Sequence, residues 1–156
     1  MIQSKELTYL ANAGVLLKLG DKKIVIDGFC ASTNPLYKST PADISEQMIL
    51  GTPPFDNIDL MLITHEHEDH FDGGSIARFL QHNPNTVVIS TCKVIAKIKG
   101  LMPSSHGLCL IALNPSLSER KSISANGILV QAMAMLHDGK GYSGVKNLAY
   151  LVQYEK

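Results

Sequence analysis

The chain is organised around the segment from Thr64 to Gly74, which reads THEHEDHFDGG. Four side chains that can bind a metal ion fall within six consecutive positions of this segment: His65, His67, Asp69 and His70. The run from Ile58 to Ile63, IDLMLI, is almost entirely apolar and leads into it, and a helix-like pattern follows the glycine pair at its end. We therefore predict a strand, then a loop rich in metal ligands, then the start of a helix.

The spacing of these ligands suits a metal site. Side chains two positions apart in extended backbone point to the same side, so His65 and His67 can reach one ion. Asp69 and His70 follow as the chain turns and can reach a neighbouring point. Imidazole and carboxylate ligands suit zinc, and also manganese or iron. The alternation predicts that Glu66 and Glu68 face solvent or support the ligands from behind. The competing interpretation is a solvated loop with chance histidines.

A further ligand is expected from outside this segment, and His137 is the best candidate. It ends the predicted strand from Ile128 to Leu136 and opens a glycine-rich loop, HDGKGYSG. A histidine at a strand end can instead cap the strand or belong to the core. We predict no ligand role for His82, at a helix end, or for His106, in a loop.

Composition limits the class of protein. The 156 residues suffice for one domain, and 14 basic residues balance 14 acidic ones, which argues against a broad nucleic-acid or membrane surface. No stretch approaches the roughly 18 apolar residues that span a bilayer. The apolar stretch before Ala11-Asn12-Ala13 is too short for a secretory signal. The three cysteines show no C-x-x-C spacing and are expected to be reduced and mostly buried, in a cytoplasmic protein.

The remaining pattern predicts mixed sheets with flanking helices. Three short strands form a meander up to Asp27. Residues 28–57 are a long connection containing a helix from Asp43 to Leu50, with Thr40 as its N-cap. This connection forms either a rim beside the ligand segment or a surface excursion. Strands and helices alternate after the segment, which favours a partly parallel sheet, and three strands follow Glu119.

The sequence His65-x-His67-x-Asp69-His70 after an apolar strand resembles the signature of the metallo-β-lactamase superfamily. Asp27 stands at the place of the first-motif acid, and His137 at that of the third-motif histidine. The opening from Tyr9 to Gly14 resembles the lactonase-like branch, which usually has Gly-His-Ala there. The resemblance implies the N-terminal portion of an αββα sandwich, of α+β or α/β class, and a single domain over residues 1–156.

The resemblance also implies a function and a ligand set. His65, His67 and His137 would hold one metal ion, Asp69 and His70 a second, and Asp69 would also be catalytic. Asp27 would support the loop without binding metal. The expected cofactor is one or two zinc ions, with manganese or iron as alternatives. A metal-activated hydroxide would then hydrolyse an ester, lactone or phosphoester bond in a small molecule.

The fourth and fifth metal motifs of this superfamily are missing before Lys156, so the domain is expected to be C-terminally incomplete. A homo-oligomer would then cover the apolar sheet surface left exposed. One alternative function is a metal-binding domain that is catalytically incomplete. Another is a nucleic-acid-processing member of the superfamily, although the neutral charge counts against a nucleic-acid partner.

Overall fold

The computed structural model describes residues 5–102, 104, 106–139, 141–142 and 144–154. Within them the strands are β1 Lys5–Ala11, β2 Gly14–Leu19, β3 Lys22–Ile26, β4 Leu60–Leu62, β5 Val87–Thr91, β6 Leu110–Leu113, β7 Arg120–Ala125, β8 Ile128–Met135 and β9 Asn147–Gln153. The helices are α1 Ala42–Leu50, α2 Gly73–His82 and α3 Cys92–Leu101. Every predicted strand and helix is present, with ends displaced by one or two positions.

The strands form two sheets. The first has the order β1-β2-β3-β4-β5-β6, and the second has the order β7-β8-β9. The first three strands pair antiparallel, as the predicted meander requires, and β3 to β6 pair parallel. The second sheet is antiparallel throughout. Because β3 and β4 run in parallel, their carboxyl ends lie side by side, and both of them lead into the ligand region.

The central strand β4 of the first sheet is buried on both faces, which explains its unbroken apolar run. Its central residue, Met61, packs in the core beneath the helices. Its flanking residues, Leu60 and Leu62, pack in a second core that includes Ile128 and Val130 of the second sheet. Side chains alternate between the faces of a strand, so one strand serves both cores. The architecture is therefore three layers: helices, first sheet, second sheet. The predicted fold class is confirmed.

Helix α2 fixes the far end of the ligand segment. Asp72 is its N-cap, and the carboxylate of Asp72 accepts a hydrogen bond from the Gly74 N–H. The helix buries Ile76, Phe79 and Leu80 against the first sheet. Capping satisfies backbone N–H groups that have no partner inside the helix. The ligand segment is thus held by a buried strand on one side and a capped helix on the other.

Two details differ from the sequence predictions. Helix α1 begins at Ala42 with Pro41 as N-cap and no side-chain cap. The Thr40 hydroxyl does not cap the helix, because it accepts from the Cys30 N–H at 3.1 Å instead. The expectation that the cysteines are mostly buried is also wrong: Cys30 is buried, but Cys92 and Cys109 are exposed.

The two sheets are hydrogen-bonded to each other beside the ligand segment. The Tyr150 hydroxyl of β9 donates to the carbonyl of Ile63 at 2.8 Å and contacts that of Ile89 at 3.2 Å. The Leu148 N–H donates to the Thr64 carbonyl at 3.1 Å. These contacts fix the position of the second sheet relative to the first. Across the described ranges, no helix has the length and apolar character needed to cross a bilayer.

Candidate metal centre

Asp27 joins the ends of β3 and β4. Its carboxylate accepts hydrogen bonds from the Thr64 N–H at 2.8 Å and from the Thr64 hydroxyl at 2.7 Å. Only 2% of Asp27 is exposed, and its backbone lies in the left-handed region at φ 46°. Two hydrogen bonds to one carboxylate fix where the ligand loop leaves the strand. Asp27 is therefore placed to support the loop.

The structure brings all five predicted ligands together in two groups that share His65. The ligand atoms of His65, His67 and His137 all lie within 4.8 Å of one another, and so do those of His65, Asp69 and His70. The Nε2 atoms of His65 and His137 are 3.1 Å apart. His137 follows β8 of the second sheet, whereas the other four residues follow β4 of the first. The centre therefore lies at the junction of the two sheets.

His65 and His67 of the first group are poised as neutral ligands. Burial lowers the pKa of His65 to about 3, with further lowering from the nearby His70, His67 and His137. Burial also lowers the pKa of His67, again with help from His137. A neutral imidazole carries the lone pair that a metal ion requires, whereas a protonated ring repels the ion.

His70 is oriented by Asp27. Its Nδ1 atom lies 2.8 Å from Asp27 Oδ2, which leaves Nε2 facing Asp69 Oδ2 at 3.3 Å. Burial alone would lower the pKa of His70, but the hydrogen bond to Asp27 and the charges of Asp27 and Asp69 raise it. In metal sites a ligand histidine commonly donates a hydrogen bond to a carboxylate from the ring nitrogen that does not bind the metal. Asp27 is the carboxylate in that position beside His70 Nδ1.

An open cavity of about 590 Å³ lies above the ligand groups. Residues from 32–37, the ligand loop and the loop after β8 line it; they are Ser32, Thr33, Asn34, Tyr37, His67, Glu68, Asp69, His137, Asp138, Gly139 and Tyr142. Of the two interpretations left open for the long connection, a rim beside the ligands and a surface excursion, the position of 32–37 favours the rim. The Tyr142 ring centroid lies 5.1 Å from that of His67 and 5.0 Å from that of His137.

The two glutamates of the loop support different parts of it. Glu66 is buried and forms an ion pair with Lys93 of α3, so it lies behind the ligands and does not face solvent. Glu68 is exposed, and its carboxylate accepts hydrogen bonds from the Thr33 N–H at 3.2 Å and the Thr33 hydroxyl at 3.0 Å. Glu68 thereby ties the rim to the ligand loop.

The sequence interpretation missed Asn12 as a residue of the centre. The Asn12 side-chain amide, in the turn between β1 and β2, donates to the backbone carbonyl of Asp69 at 2.8 Å. Two signals pointed to it: a polar side chain between two alanines in a turn, and the Gly-His-Ala sequence that the lactonase-like branch usually has there. His82 and His106 lie outside both ligand groups; His82 is exposed, and its Nδ1 lies 3.0 Å from the Arg78 carbonyl.

The family is established by the sequence comparison. A family profile described as "Beta-lactamase superfamily domain" matches residues 6–156. The chain belongs to the beta-lactamase superfamily. The match spans the meander, the ligand segment and the second sheet, so both parts of the centre fall within this superfamily domain.

Individual relatives agree with this assignment. A UPF0173 metal-dependent hydrolase of Aeropyrum pernix is 30% identical over 88 residues, which cover 56% of this chain and 30% of that protein. Another from Pyrococcus furiosus is 38% identical over 74 residues, 47% of this chain and 27% of that protein. The solved metallo hydrolase Igni18 of Ignicoccus hospitalis has a TM-score of 0.61 at 21% identity, over 96% of this chain and 56% of that chain. The match therefore spans less than a third of the curated relatives and about half of the solved structure.

The donor set of this superfamily domain fits a bound metal. Three imidazoles converge, and at least two of them are held neutral by their surroundings. A carboxylate and a fourth imidazole converge beside them, with that imidazole fixed by Asp27. Nitrogen ligands with a carboxylate are the usual environment of zinc and of other first-row divalent ions.

Proposed function

We propose that this superfamily domain is a metal-dependent hydrolase that cleaves an ester, lactone or phosphoester bond in a small molecule. The observation that carries the proposal is the sharing of His65 between two converging ligand groups beneath an open cavity. Such an arrangement places ions and substrate against the same ligands. The relatives described as metal-dependent hydrolases support the reaction class, without indicating the substrate.

In this proposal His65, His67 and His137 hold one ion, and Asp69 with His70 holds a second beside the shared His65. When bound, the metal polarises the substrate and lowers the pKa of coordinated water to about 7. Asp69 also lines the cavity, and we assign its carboxylate the catalytic task of accepting a proton from the attacking water. Asp27 positions His70 and the loop without touching the substrate.

The cavity walls supply the binding groups for a small molecule. Tyr142 covers one side of His67 and His137 and offers an aromatic face with a hydroxyl. The rim from 32–37 offers hydroxyl and amide groups, and Glu68 anchors it. These groups suit a polar substrate of modest size, because they offer hydrogen bonds from three sides.

Metal content and turnover test the proposal together. The purified chain is loaded with Zn²⁺, its ions are counted by elemental analysis, and it is assayed on a phosphodiester, a lactone and an aryl ester. We expect hydrolysis of at least one substrate, abolished in His67→Ala and preserved in His82→Ala. Bound metal with no turnover on any of the three would contradict the proposed activity.

The second candidate function is a metal-binding domain without turnover. The specific observation in its favour is that, among the residues that the structure describes, the second group contains only Asp69 and His70 in addition to the shared His65. Two ligands beside a histidine that also serves the first ion make a weak position. One tightly bound ion per chain and no hydrolysis would favour this candidate over the enzyme.

Zinc is our proposed metal, because imidazoles dominate the first group. Loading with Zn²⁺, Mn²⁺ and Fe²⁺ in parallel, followed by elemental analysis, tests this choice. We also propose that the protein is cytoplasmic, with its cysteines as free thiols. Fractionation of the native cells, with thiol labelling of the recovered protein, tests that placement.

We further propose that a second copy of the chain covers the outer part of the first sheet. Leu7 and Tyr9 of β1 pair with Leu17 and Val15, and they are 67% and 59% exposed. Directly opposed residues share a face, and Leu17 packs in the core between the sheets. The face of the first sheet that packs against the second sheet is therefore left uncovered at β1. Size-exclusion chromatography with light scattering tests this; a clean monomer at moderate concentration would rule it out.

A further inference from the structure

The turn between β1 and β2 contacts the metal centre through Asn12. The Asn12 Nδ2 atom lies 2.8 Å from the Asp69 carbonyl oxygen and 3.3 Å from Asp69 Oδ2. These two residues are 57 positions apart in the chain. Asp69 therefore has a hydrogen-bond donor that comes from outside its own loop.

The conformation of the turn is specialised for this contact. Asn12 has φ 39°, in the left-handed region that asparagine tolerates better than most residues. A Cβ atom added to Gly14 would lie 2.7 Å from the Asp27 carbonyl oxygen and 2.9 Å from that of Ala11. A side chain at position 14 would push the turn away from the Asp27 corner. Both features keep the turn against the ligand loop.

The orientation of the Asn12 amide follows from its surroundings. Its Nδ2 faces two oxygen atoms of Asp69, both of which only accept hydrogen bonds while the carboxylate is ionised. The opposite orientation would set Oδ1 against both. Asp69 Oδ2 also faces His70 Nε2 at 3.3 Å. The Asn12 amide thus holds the Asp69 carboxylate on the side that His70 Nε2 faces.

We propose that Asn12 is a positioning residue that orients the Asp69 carboxylate for the metal ion it shares with His70. The inference rests on the proposed function, in which Asp69 is a metal ligand. Hydrogen-bond partners of metal ligands typically change metal affinity by about 10- to 100-fold when they are removed. Asn12 occupies that role for Asp69, as Asp27 does for His70.

The test measures Zn²⁺ affinity of the full chain by competition with a chromophoric chelator. Asn12→Gly removes the donor and keeps a residue that accepts φ 39°. We expect its Zn²⁺ affinity to fall by about tenfold or more, while the melting temperature of the metal-free chain changes little. The effect then belongs to the metal site and not to the stability of the turn.

Asn126→Gly is the matched control. Asn126 also has a left-handed φ, 51°, in the turn between β7 and β8, and its Nδ2 also donates to a backbone carbonyl, that of Asp59 at 2.9 Å. We expect its Zn²⁺ affinity to equal that of the wild type. A second pair of variants is Asn12→Ala and Asn12→Gln. Both replacements adopt the left-handed backbone of the turn less readily than asparagine, but only glutamine retains a side-chain amide. We expect the glutamine variant to bind Zn²⁺ more tightly than the alanine variant.

An unchanged Zn²⁺ affinity in Asn12→Gly, or an equal loss in Asn126→Gly, would overturn the inference. The test needs no substrate, so it is separable from the proposed hydrolysis. A chain that hydrolyses its substrate but binds Zn²⁺ equally well without Asn12 would remove only this inference. A chain whose Zn²⁺ binding depends on Asn12, but which hydrolyses nothing, would remove only the proposed activity.

Discussion

Asp27 and His70, 43 positions apart, are joined by a hydrogen bond of 2.8 Å between Oδ2 and Nδ1. The same carboxylate holds the N–H and hydroxyl of Thr64. One buried acid therefore sets both where the ligand loop begins and how its last histidine is turned. The direction of His70 depends on a residue from another strand, so it is fixed only after β3 and β4 have paired.

Asp27→Asn should weaken metal binding by about 10- to 100-fold. Asparagine keeps the size of the side chain and tolerates the left-handed backbone at φ 46°, but it lacks the negative charge beside His70. Isothermal titration with Zn²⁺ checks this. Asp59→Asn is the matched control, because Asp59 accepts from the Lys23 N–H at 3.0 Å and pairs with Lys22, outside the metal centre. Equal affinities in the two variants would contradict the assigned role.

Replacement of His65 should be more damaging than replacement of His137. His65 belongs to both ligand groups, whereas His137 belongs to one. We expect His65→Ala to lose ions from both positions and His137→Ala to retain a fraction bound near Asp69 and His70. Elemental analysis after dialysis against a weak chelator gives the ratio. If His137→Ala lost as much metal as His65→Ala, the two groups would not be separate positions.

Much of the fold was predictable because buried strands and helices have characteristic patterns of apolar residues. The run from Ile58 to Ile63 is apolar because β4 is covered on both faces, and the pattern of α2 is helical because one of its faces is buried. Helix ends were less predictable. Threonine is a residue type that often caps helices, but the fold brings the Cys30 N–H within reach of the Thr40 hydroxyl, which accepts that bond instead. The choice between alternative hydrogen-bond partners depends on tertiary contacts, which a local sequence pattern does not contain.

Some residues of the candidate site were also predictable from the sequence, and others were not. His65, His67, Asp69 and His70 were found because they are adjacent in the chain, and His137 because it ends an apolar strand. Asn12 was missed because its contact with Asp69 depends on how the β1–β2 turn packs, and the turn has no periodic signal. Glu66 alternates with the ligands as predicted, but the side it faces is covered by Lys93 of α3.

Glu68→Ala should raise the KM for substrate by about two- to tenfold, the effect of losing hydrogen bonds worth about 0.5–1.5 kcal/mol. Glu68 holds Thr33 in the cavity rim, so the rim loses its anchor while the ligands stay in place. Steady-state kinetics and metal content are measured together. Glu46→Ala is the control, because Glu46 pairs with Arg78 on the helices, away from the cavity. A fall in metal content would show that Glu68 acts on the ligand loop instead.

Tyr150→Phe should lower the free energy of unfolding by about 0.5–1.5 kcal/mol. The Ile63 carbonyl loses one of its two donors and keeps the Ser90 hydroxyl, and the Ile89 carbonyl keeps the Ile63 N–H. Burial first, and then the charge of Asp27, raise the pKa of the Tyr150 phenol well above its ordinary value. A raised folded-state pKa means that this stabilisation is fully present below about pH 10 and is lost as the pH rises further.

Urea unfolding followed by circular dichroism between pH 7 and 11 checks the prediction for Tyr150. The wild type should lose stability above about pH 10, and Tyr150→Phe should show a flatter profile. Tyr9→Phe, at an exposed position on β1, should behave as the wild type does. An alkaline profile in Tyr150→Phe as steep as in the wild type would assign the loss to other groups.

The position of His137 on the second sheet gives the metal centre a mechanical role. His65 leaves the first sheet and His137 leaves the second, and their Nε2 atoms are 3.1 Å apart. An ion bound by both would be a cross-link between two layers that are otherwise held by apolar packing and by hydrogen bonds such as those of Tyr150, Leu148 and Asn126. Release of the ion and separation of the layers would then be linked events, since the free energy of metal binding adds to that of folding. Any change that loosens one layer against the other would be felt as a change in metal affinity.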